Sequence, residues 1–299
     1  MHLLSMDDLS KDQISRIFEI ADDLKSGTAT IALKTGAILA MFFEKPSTRT
    51  RVSFEAAITQ LGGHGIYIDS RTTQHSRGES WSDTGKMLSS YVDFIAARLY
   101  NHSDIVELAN NSTVPVINAL TDLEHPTQAL TDLYTIYEVK NRLKGLKIAF
   151  IGDIAANTAN SLMLAGVKMN MSISLVGPKG YMPNERYFTK AREYGMVDVY
   201  NDIKEGVADA DVLYTDTFVS MGQENDTEKR LKLFAPYQLN SKVLGYAKSD
   251  AVVMHCLPAH RGEEITADVI DGPRSIVFRQ AKNKLLIAKA VLLYLSENV

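Results

Sequence analysis

The sequence predicts an α/β protein built as two domains, each a parallel sheet flanked by helices. Three observations predict it. Short apolar runs of β character alternate with longer helical patterns. The alternation halts at a polar stretch, Lys140-Asn141-Arg142-Leu143-Lys144-Gly145, and then restarts. The chain has 299 residues, enough for two domains of ordinary size. Strand–helix alternation on both sides of one linker favours parallel sheets, because the helices serve as crossovers.

In the first half, Ile38 to Phe43 reads as a buried strand. A helix then starts at Ser47, runs through Val52, Ala56 and Ile58, and is stopped by Gly62-Gly63. Further strands are expected around Ile66 to Ile68, at Asp93 to Ala97 and at Val114 to Ile117. Ala129, Leu130, Leu133, Ile136 and Tyr137 then fall at helical spacing. Beyond the polar stretch come a strand at Lys147 to Ile151, a helix from Asn157, a strand at Ile173 to Val176 and a helix at Glu185 to Tyr194. Strands at Val212 to Thr215 and Val252 to Met254 follow, and a helix at Gln280 to Ser296 closes the pattern.

Composition narrows the class. Apolar residues make up 45% and charged residues 23%, values that exclude disorder as the main state. Lys and Arg number 32 against 36 Asp and Glu, a net charge of −4. That balance argues against a nucleic-acid or acidic-membrane surface. The single cysteine, Cys256, excludes an internal disulfide and a cysteine-rich zinc cluster, and fits a reducing compartment. Acidic residues precede any long apolar region at the amino end, so no signal peptide is read there. The apolar stretch Leu285 to Leu295 is broken by Lys289 and is too short to span a bilayer. A cytoplasmic location is the expectation.

Parallel sheets bind ligands beyond the carboxyl ends of their strands, so the segments after strands are where chemistry is sought. After the first strand stands Glu44-Lys45-Pro46-Ser47-Thr48-Arg49-Thr50-Arg51. Ser47 can cap a helix whose free N–H groups and positive dipole end face one spot, beside hydroxyls and Arg49, which is a recipe for an oxyanion or phosphate site. The alternative is an ordinary capped helix with two solvated arginines. Arg98 ends an apolar strand and, read alone, suits a surface residue better than a ligand. His125 and Gln128, in His125-Pro126-Thr127-Gln128, are one helical turn apart and can both donate to a carbonyl oxygen, although a lone histidine is more often structural. In the second half, Asp216 to Glu224 offers an acid and hydroxyls near Gly222. His255-Cys256-Leu257-Pro258 follows another strand, with Cys256 a nucleophile, a proton acceptor or a buried filler. Ile151-Gly152-Asp153-Ile154-Ala155-Ala156-Asn157 occupies the place of a dinucleotide fingerprint, but its second and third glycines are missing, and Val176-Gly177-Pro178 supplies no acid after the next strand. NAD binding is therefore disfavoured.

Taken together and in order, these segments resemble the aspartate/ornithine transcarbamylase family over nearly the whole chain. Ser47 to Arg51 is similar to its carbamoyl-phosphate motif, and His125 to Gln128 to its carbonyl-polarising motif. Asp216 with Ser220-Met221-Gly222, and His255 to Pro258, resemble the ornithine branch; the aspartate branch has a His-Pro-Leu-Pro type of segment instead.

The resemblance implies a carbamoyl-phosphate domain over 1–139, an ornithine domain over 145–278 and a terminal helix, 279–299, returning to the first domain, with the active site in the interdomain cleft. It implies transfer of the carbamoyl group of carbamoyl phosphate to the side-chain amine of L-ornithine, giving citrulline and phosphate. It also implies a homotrimer, or a multiple of trimers, in which a neighbour's 71–79 loop reaches each site, with Gln74 the candidate in that loop. Carried over residue by residue, carbamoyl phosphate falls to Ser47, Thr48, Arg49, Thr50, Gln74, Arg98, His125, Gln128, Cys256, Leu257 and Lys284. Ornithine falls to Asn157, Asp216, Ser220 and Met221. Arg98, His125 and Cys256 carry the catalytic roles, and the chemistry needs no metal or organic cofactor. Two positions depart from the family pattern. Ala156-Asn157 stands where paired asparagines are usual, and Asn283-Lys284 where Asn-Arg is usual, so a lysine replaces a bidentate guanidinium. The rivals are a transcarbamylase for putrescine, acetylornithine or aspartate, a non-catalytic ligand-binding paralogue, and an NAD-dependent oxidoreductase.

Overall fold

The computed structural model describes residues 1–27, 32–219 and 226–297. Contacts divide the chain into two compact units: Met1–Thr131 with Lys282–Val299 form unit 1, and Asp132–Ala281 form unit 2.

Unit 1 opens with α1 (Lys11–Ser26), a helix not among the expected elements although its buried Ile14, Ile17, Phe18 and Ala21 fall at helical spacing. Its start is a reciprocal cap: the Ser10 hydroxyl accepts from the Gln13 N–H, and the Gln13 side chain accepts from the Ser10 N–H. Gly27, at φ 68°, ends it in the left-handed conformation that glycine adopts without strain. The alternation follows: β1 (Ile38–Phe43), α2 (Thr48–Gln60), β2 (His64–Asp69), α3 (Trp81–Ser89), β3 (Phe94–Arg98), α4 (His102–Asn110), β4 (Val116–Leu120) and the first turn of α5 (Pro126–Lys140). The four strands are parallel in the order β2-β1-β3-β4. β1 is buried from Leu39 to Phe43, as a central parallel strand covered on both faces must be; hence its unbroken apolar run. β4 starts two residues later than the sequence suggests. Pro115 has no N–H to give the ladder, while Asn118 and Leu120 pair with Ala97 and Arg98.

In unit 2, β5 (Lys147–Ile151), α6 (Asn157–Lys168), β6 (Ser172–Val176), α7 (Glu185–Tyr194), β7 (Val197–Tyr200), α8 (Ile203–Val207) and β8 (Val212–Thr215) succeed one another. α9 (Thr227–Phe234), α10 (Ser241–Leu244), β9 (Val252–His255), α11 (Ala267–Ile270) and the first residues of α12 (Val277–Ser296) complete the unit. Its five strands are parallel in the order β7-β6-β5-β8-β9. The division between units falls within α5, ahead of the polar stretch, and within α12. Most of α12 belongs with unit 1, as expected of the returning terminal helix; Arg16 and Glu297 pair there at 3.4 Å.

Each sheet has one place where the direction of winding reverses. In unit 1 the chain moves from β1 outward to β2, then crosses to β3 and β4, so the reversal lies between β1 and β3. In unit 2 it lies between β5 and β8. Crevices for ligands form at the carboxyl ends of such strand pairs. Phe43 pairs in register with Arg98, and Ile151 with Thr215, so the segments after β1, β3, β5 and β8 lie at these two reversals, while those after β4 and β9 lie one strand further along.

Candidate active site

In unit 1, β1 runs out at Phe43 and α2 begins at Thr48. Ser47 is its cap: extended in backbone, its hydroxyl accepts from the Thr50 N–H at 3.3 Å. The first N–H groups of a helix have no carbonyl partner within it, and the dipole adds positive potential there. Ser47 is half-buried, Thr48 and Arg49 are exposed, and Thr50 is buried. The two arginines of the motif differ. Arg51 is committed to its own helix and sheet: it pairs with Glu55 at 3.4 Å and lies 3.7 Å over the Tyr67 ring. Arg49 makes no ion pair among the described residues. Nearby, the Lys45 ammonium lies 4.6 Å over the Tyr100 ring, and the Glu44 N–H donates to the Arg98 carbonyl at 2.9 Å.

The other half of this cluster is buried. Arg98, His125, Gln128 and Lys284 are each no more than 8% exposed. Lys284 of α12 donates to Gln128 Oε1 at 2.7 Å, so the residue that departs from the family pattern meets the carbonyl-polarising segment directly. His125 precedes α5, and its carbonyl accepts the Gln128 N–H at 3.0 Å. Burial, then the Lys284 ammonium and the Arg98 guanidinium, hold the His125 imidazole well below its usual range. The ring is therefore neutral at neutral pH and can donate one N–H. Gln74 is different. It is exposed, in a short turn, Gln74–Arg77, pinned by His75, whose ring centroid lies 3.9 Å from that of Trp81. No hydrogen bond among the described residues joins Gln74 to the His125 cluster.

The depressed His125 has a consequence for folding. On acidification the unfolded chain takes up this proton first, near pH 6.5, while the folded chain resists it. Stability falls as pH drops below about 6.5, by up to ~1.4 kcal/mol per pH unit, until the folded group itself titrates. Urea unfolding at pH 7, 6 and 5 measures the slope, and His125→Gln is expected to flatten it by that amount. An unchanged slope in the variant would assign the acid sensitivity to other groups.

In unit 2, Thr215 pairs in register with His255, so the residues that follow them, Asp216 and Cys256, leave adjacent strands side by side. The Cys256 thiol donates to Asp216 Oδ1 at 3.0 Å. The same oxygen accepts the Thr217 N–H at 2.8 Å, and Oδ2 accepts the Thr158 hydroxyl at 2.8 Å. Thr158 comes from the first turn of α6, directly after Asn157, which is half-buried at the helix start. An acid and a thiol are thus held at the reversal between β5 and β8. Ser220 and Met221 lie outside the described residues.

The segment after Cys256 is held from beneath. Leu257 adopts φ 60°, unusual for a branched side chain, and its N–H donates to His255 Nδ1 at 2.9 Å. Nδ1 therefore carries no proton, and His255 Nε2–H donates to Glu264 Oε1 at 3.0 Å. Gln280 accepts the His255 N–H at 3.0 Å and donates to Asp132 and Tyr214 at 2.6 and 3.2 Å. Thr158, Glu264 and Gln280 are the residues that sequence reasoning missed. Only Thr158, next to the candidate Asn157, carried a local signal.

The place of a dinucleotide fingerprint is filled otherwise. Gly152 sits at φ 118°, and an added Cβ would stand 3.0 Å from the Phe218 ring, so the glycine serves a tight turn. The Asp153 carboxylate beside it is paired with Arg230, whose Nε–H also donates to the Phe218 carbonyl at 2.8 Å. A fixed acid at that point opposes a pyrophosphate. Among the described residues, no helix is long and apolar enough to cross a membrane.

Known proteins share this fold and sequence. Residues 1–138 match the carbamoyl-P binding domain of aspartate/ornithine carbamoyltransferases, and residues 144–295 match the Asp/Orn binding domain. The chain is 50% identical to the ornithine carbamoyltransferase of Archaeoglobus fulgidus over 98% of its length and 97% of that protein's. It is 49% identical to the enzyme of Anoxybacillus flavithermus, over 98% of this chain and 95% of the relative. The solved ornithine carbamoyltransferase of Pyrococcus furiosus superposes with a TM-score of 0.94 at 45% identity, covering 100% of this chain and 98% of that one. Two parallel sheets of this topology, matched over the full chain at this identity, make the chain a member of the aspartate/ornithine carbamoyltransferase family.

Proposed function

We propose that the chain transfers the carbamoyl group of carbamoyl phosphate to the side-chain amine of L-ornithine. The observation that supports ornithine is the Asp216 carboxylate, held by Thr158 and Thr217 with the Cys256 thiol on it. A fixed acid is the natural partner of an α-ammonium, and a thiol beside it suits the approach of a second amine.

On this reading unit 1 serves the acyl donor. The start of α2 (Ser47, Thr48, Thr50) and Arg49 bind the phosphate dianion, and Gln74 of a neighbouring subunit adds to them. Arg98, His125 and Gln128 donate to the oxygens on which charge develops. Lys284 adds its charge to the burial that keeps His125 neutral and holds Gln128 in place, so it acts through these two as well as through its own charge. Unit 2 serves the acceptor. Asp216 takes the α-ammonium, Asn157 and the Ser220-Met221 segment take the amino-acid end, and the Cys256 and Leu257 carbonyls take the carbamoyl NH₂. A free alkyl ammonium has a lysine-like pKa of about 10.4, so a proton must leave before attack; Cys256 assists. The neutral amine then bonds to the carbonyl carbon, the carbon–oxygen bond to phosphate breaks, and the departing phosphate carries away the electron pair and the amine's proton. The enzyme works as a homotrimer, or a multiple of it, in the cytoplasm.

Purified chain supplied with carbamoyl phosphate and, in turn, ornithine, putrescine, acetylornithine or aspartate tests the reading. Citrulline and phosphate are expected in equal amounts with ornithine, at a rate on the order of 10²-fold or more above the other acceptors. Equal rates with putrescine would show that no α-ammonium is read, and silence with every acceptor would leave a ligand-binding paralogue.

A further inference from the structure

We propose that the turn after β9 holds a zinc-class divalent metal ion, with His260, Glu263 and Glu264 as ligands. The ligand atoms of the three lie within 4.8 Å of one another. Clustering alone is common among acidic side chains; the decisive observation is the state of Glu264. Its side chain is 0% exposed. Oε1 is anchored by two donors, His255 Nε2–H at 3.0 Å and the His260 N–H at 2.6 Å. Oε2 is buried and has no hydrogen-bond partner. A bare carboxylate oxygen in the interior is costly unless a positive group meets it. It faces His260 Nδ1 at 3.6 Å, and Nδ1 is also 4.0 Å from Glu263 Oε2.

A carboxylate pinned through one oxygen and open at the other is the arrangement that orients a metal ligand. One imidazole nitrogen with two carboxylates suits zinc and its first-row neighbours, whereas calcium and magnesium prefer oxygens alone. Tetrahedral zinc with ligands at about 2.0–2.2 Å needs neighbouring ligand atoms roughly 3.3 Å apart. The His260–Glu264 spacing of 3.6 Å must therefore shrink slightly, and Glu263, with its oxygen 4.0 Å from His260 Nδ1, must swing further inward. His260 and Glu263 can supply that motion, since their side chains are 49% and 45% exposed, while Glu264 stays fixed. The three residues leave a coordination position for water. The other nearby cluster, Asp216, His255 and Cys256, is closed by its own bonds: both His255 ring nitrogens are engaged, and the thiol donates to Asp216.

The ion would compete with a contact that matters. Thr217 Oγ1 lies 3.4 Å from His260 Nδ1, and the Thr217 N–H holds Asp216. An ion that takes Nδ1 releases Thr217 from it, linking metal occupancy to the acid at the end of β8. The site itself does not depend on the transfer reaction.

Cobalt titration of the chelator-treated full-length protein, followed by displacement with zinc, tests the site. One equivalent is expected, with the visible absorption of nitrogen- and oxygen-ligated cobalt and no sulfur-to-metal charge-transfer band. His260→Ala and Glu263→Gln, both at half-exposed positions that folding tolerates, should each weaken binding at least ~10-fold. Cys256→Ser should leave it unchanged. Absence of binding, unchanged affinity in His260→Ala, a thiolate band, or loss of binding in Cys256→Ser would each overturn the proposal.

Discussion

Arg49→Ala is expected to lower kcat/KM for carbamoyl phosphate on the order of 10³-fold while leaving the fold intact. Loss of one donor to a developing oxyanion commonly costs 10²- to 10³-fold, and here the donor also carries a full charge facing a dianion. The neighbouring arginine cannot substitute, because Arg51 is held by Glu55 and by the face of Tyr67. Arg49, exposed in the first turn of α2, has no such commitment. Its removal strips no buried partner, so the melting temperature should move by no more than about 2 °C. Arg49→Lys should recover part of the rate, since the charge stays and the planar fork is lost. Steady-state kinetics beside thermal unfolding of the same preparations distinguishes the roles. Full activity in Arg49→Ala would place the phosphate elsewhere than at this helix tip.

What could be read in the sequence follows from how local the controlling physics is. The start of α2 was legible because a cap is written within four residues, Ser47 to Thr50. Arg98 was legible as the polar end of an apolar strand. α1 was written just as locally, in the Ser10 and Gln13 cap and in the helical spacing of Ile14, Ile17, Phe18 and Ala21, yet it was not among the expected elements. Asp216 and Cys256 were legible separately as post-strand residues, but their hydrogen bond was not. It depends on β8 and β9 being neighbours with Thr215 opposite His255, a register that parallel crossovers set and no short motif encodes. The supports lie further out of reach. Thr158 meets Asp216 across 58 positions, and Lys284 meets Gln128 across 156. Only resemblance to the family singled out Lys284, and resemblance did not disclose that its partner is Gln128. Glu264 stands nine positions from His255, yet nothing in Glu263-Glu264 tells which carboxylate turns inward.

Asp216→Asn is the corresponding experiment for the acceptor. The carboxylate accepts from three donors, the Thr158 hydroxyl, the Thr217 N–H and the Cys256 thiol. A carboxamide has the same shape but a single acceptor oxygen and no charge, so the Thr217 N–H can be kept only if the NH₂ turns toward Thr158. The hydroxyl can reverse and accept; the lost charge has no replacement. Charge-assisted hydrogen bonds to an ammonium contribute about 1.5–3 kcal/mol, and kcat/KM for ornithine should fall on the order of 10²-fold. Carbamoyl phosphate, assigned chiefly to unit 1, should lose much less affinity than ornithine by calorimetry, since the change touches its site only through Cys256, whose thiol is bonded to Asp216. A parallel loss of both ligands would mean that Asp216 holds unit 2 together and does not read the substrate. A fall confined to ornithine, not reproduced with an acceptor that lacks the α-ammonium, would fix the carboxylate as the group that recognises it.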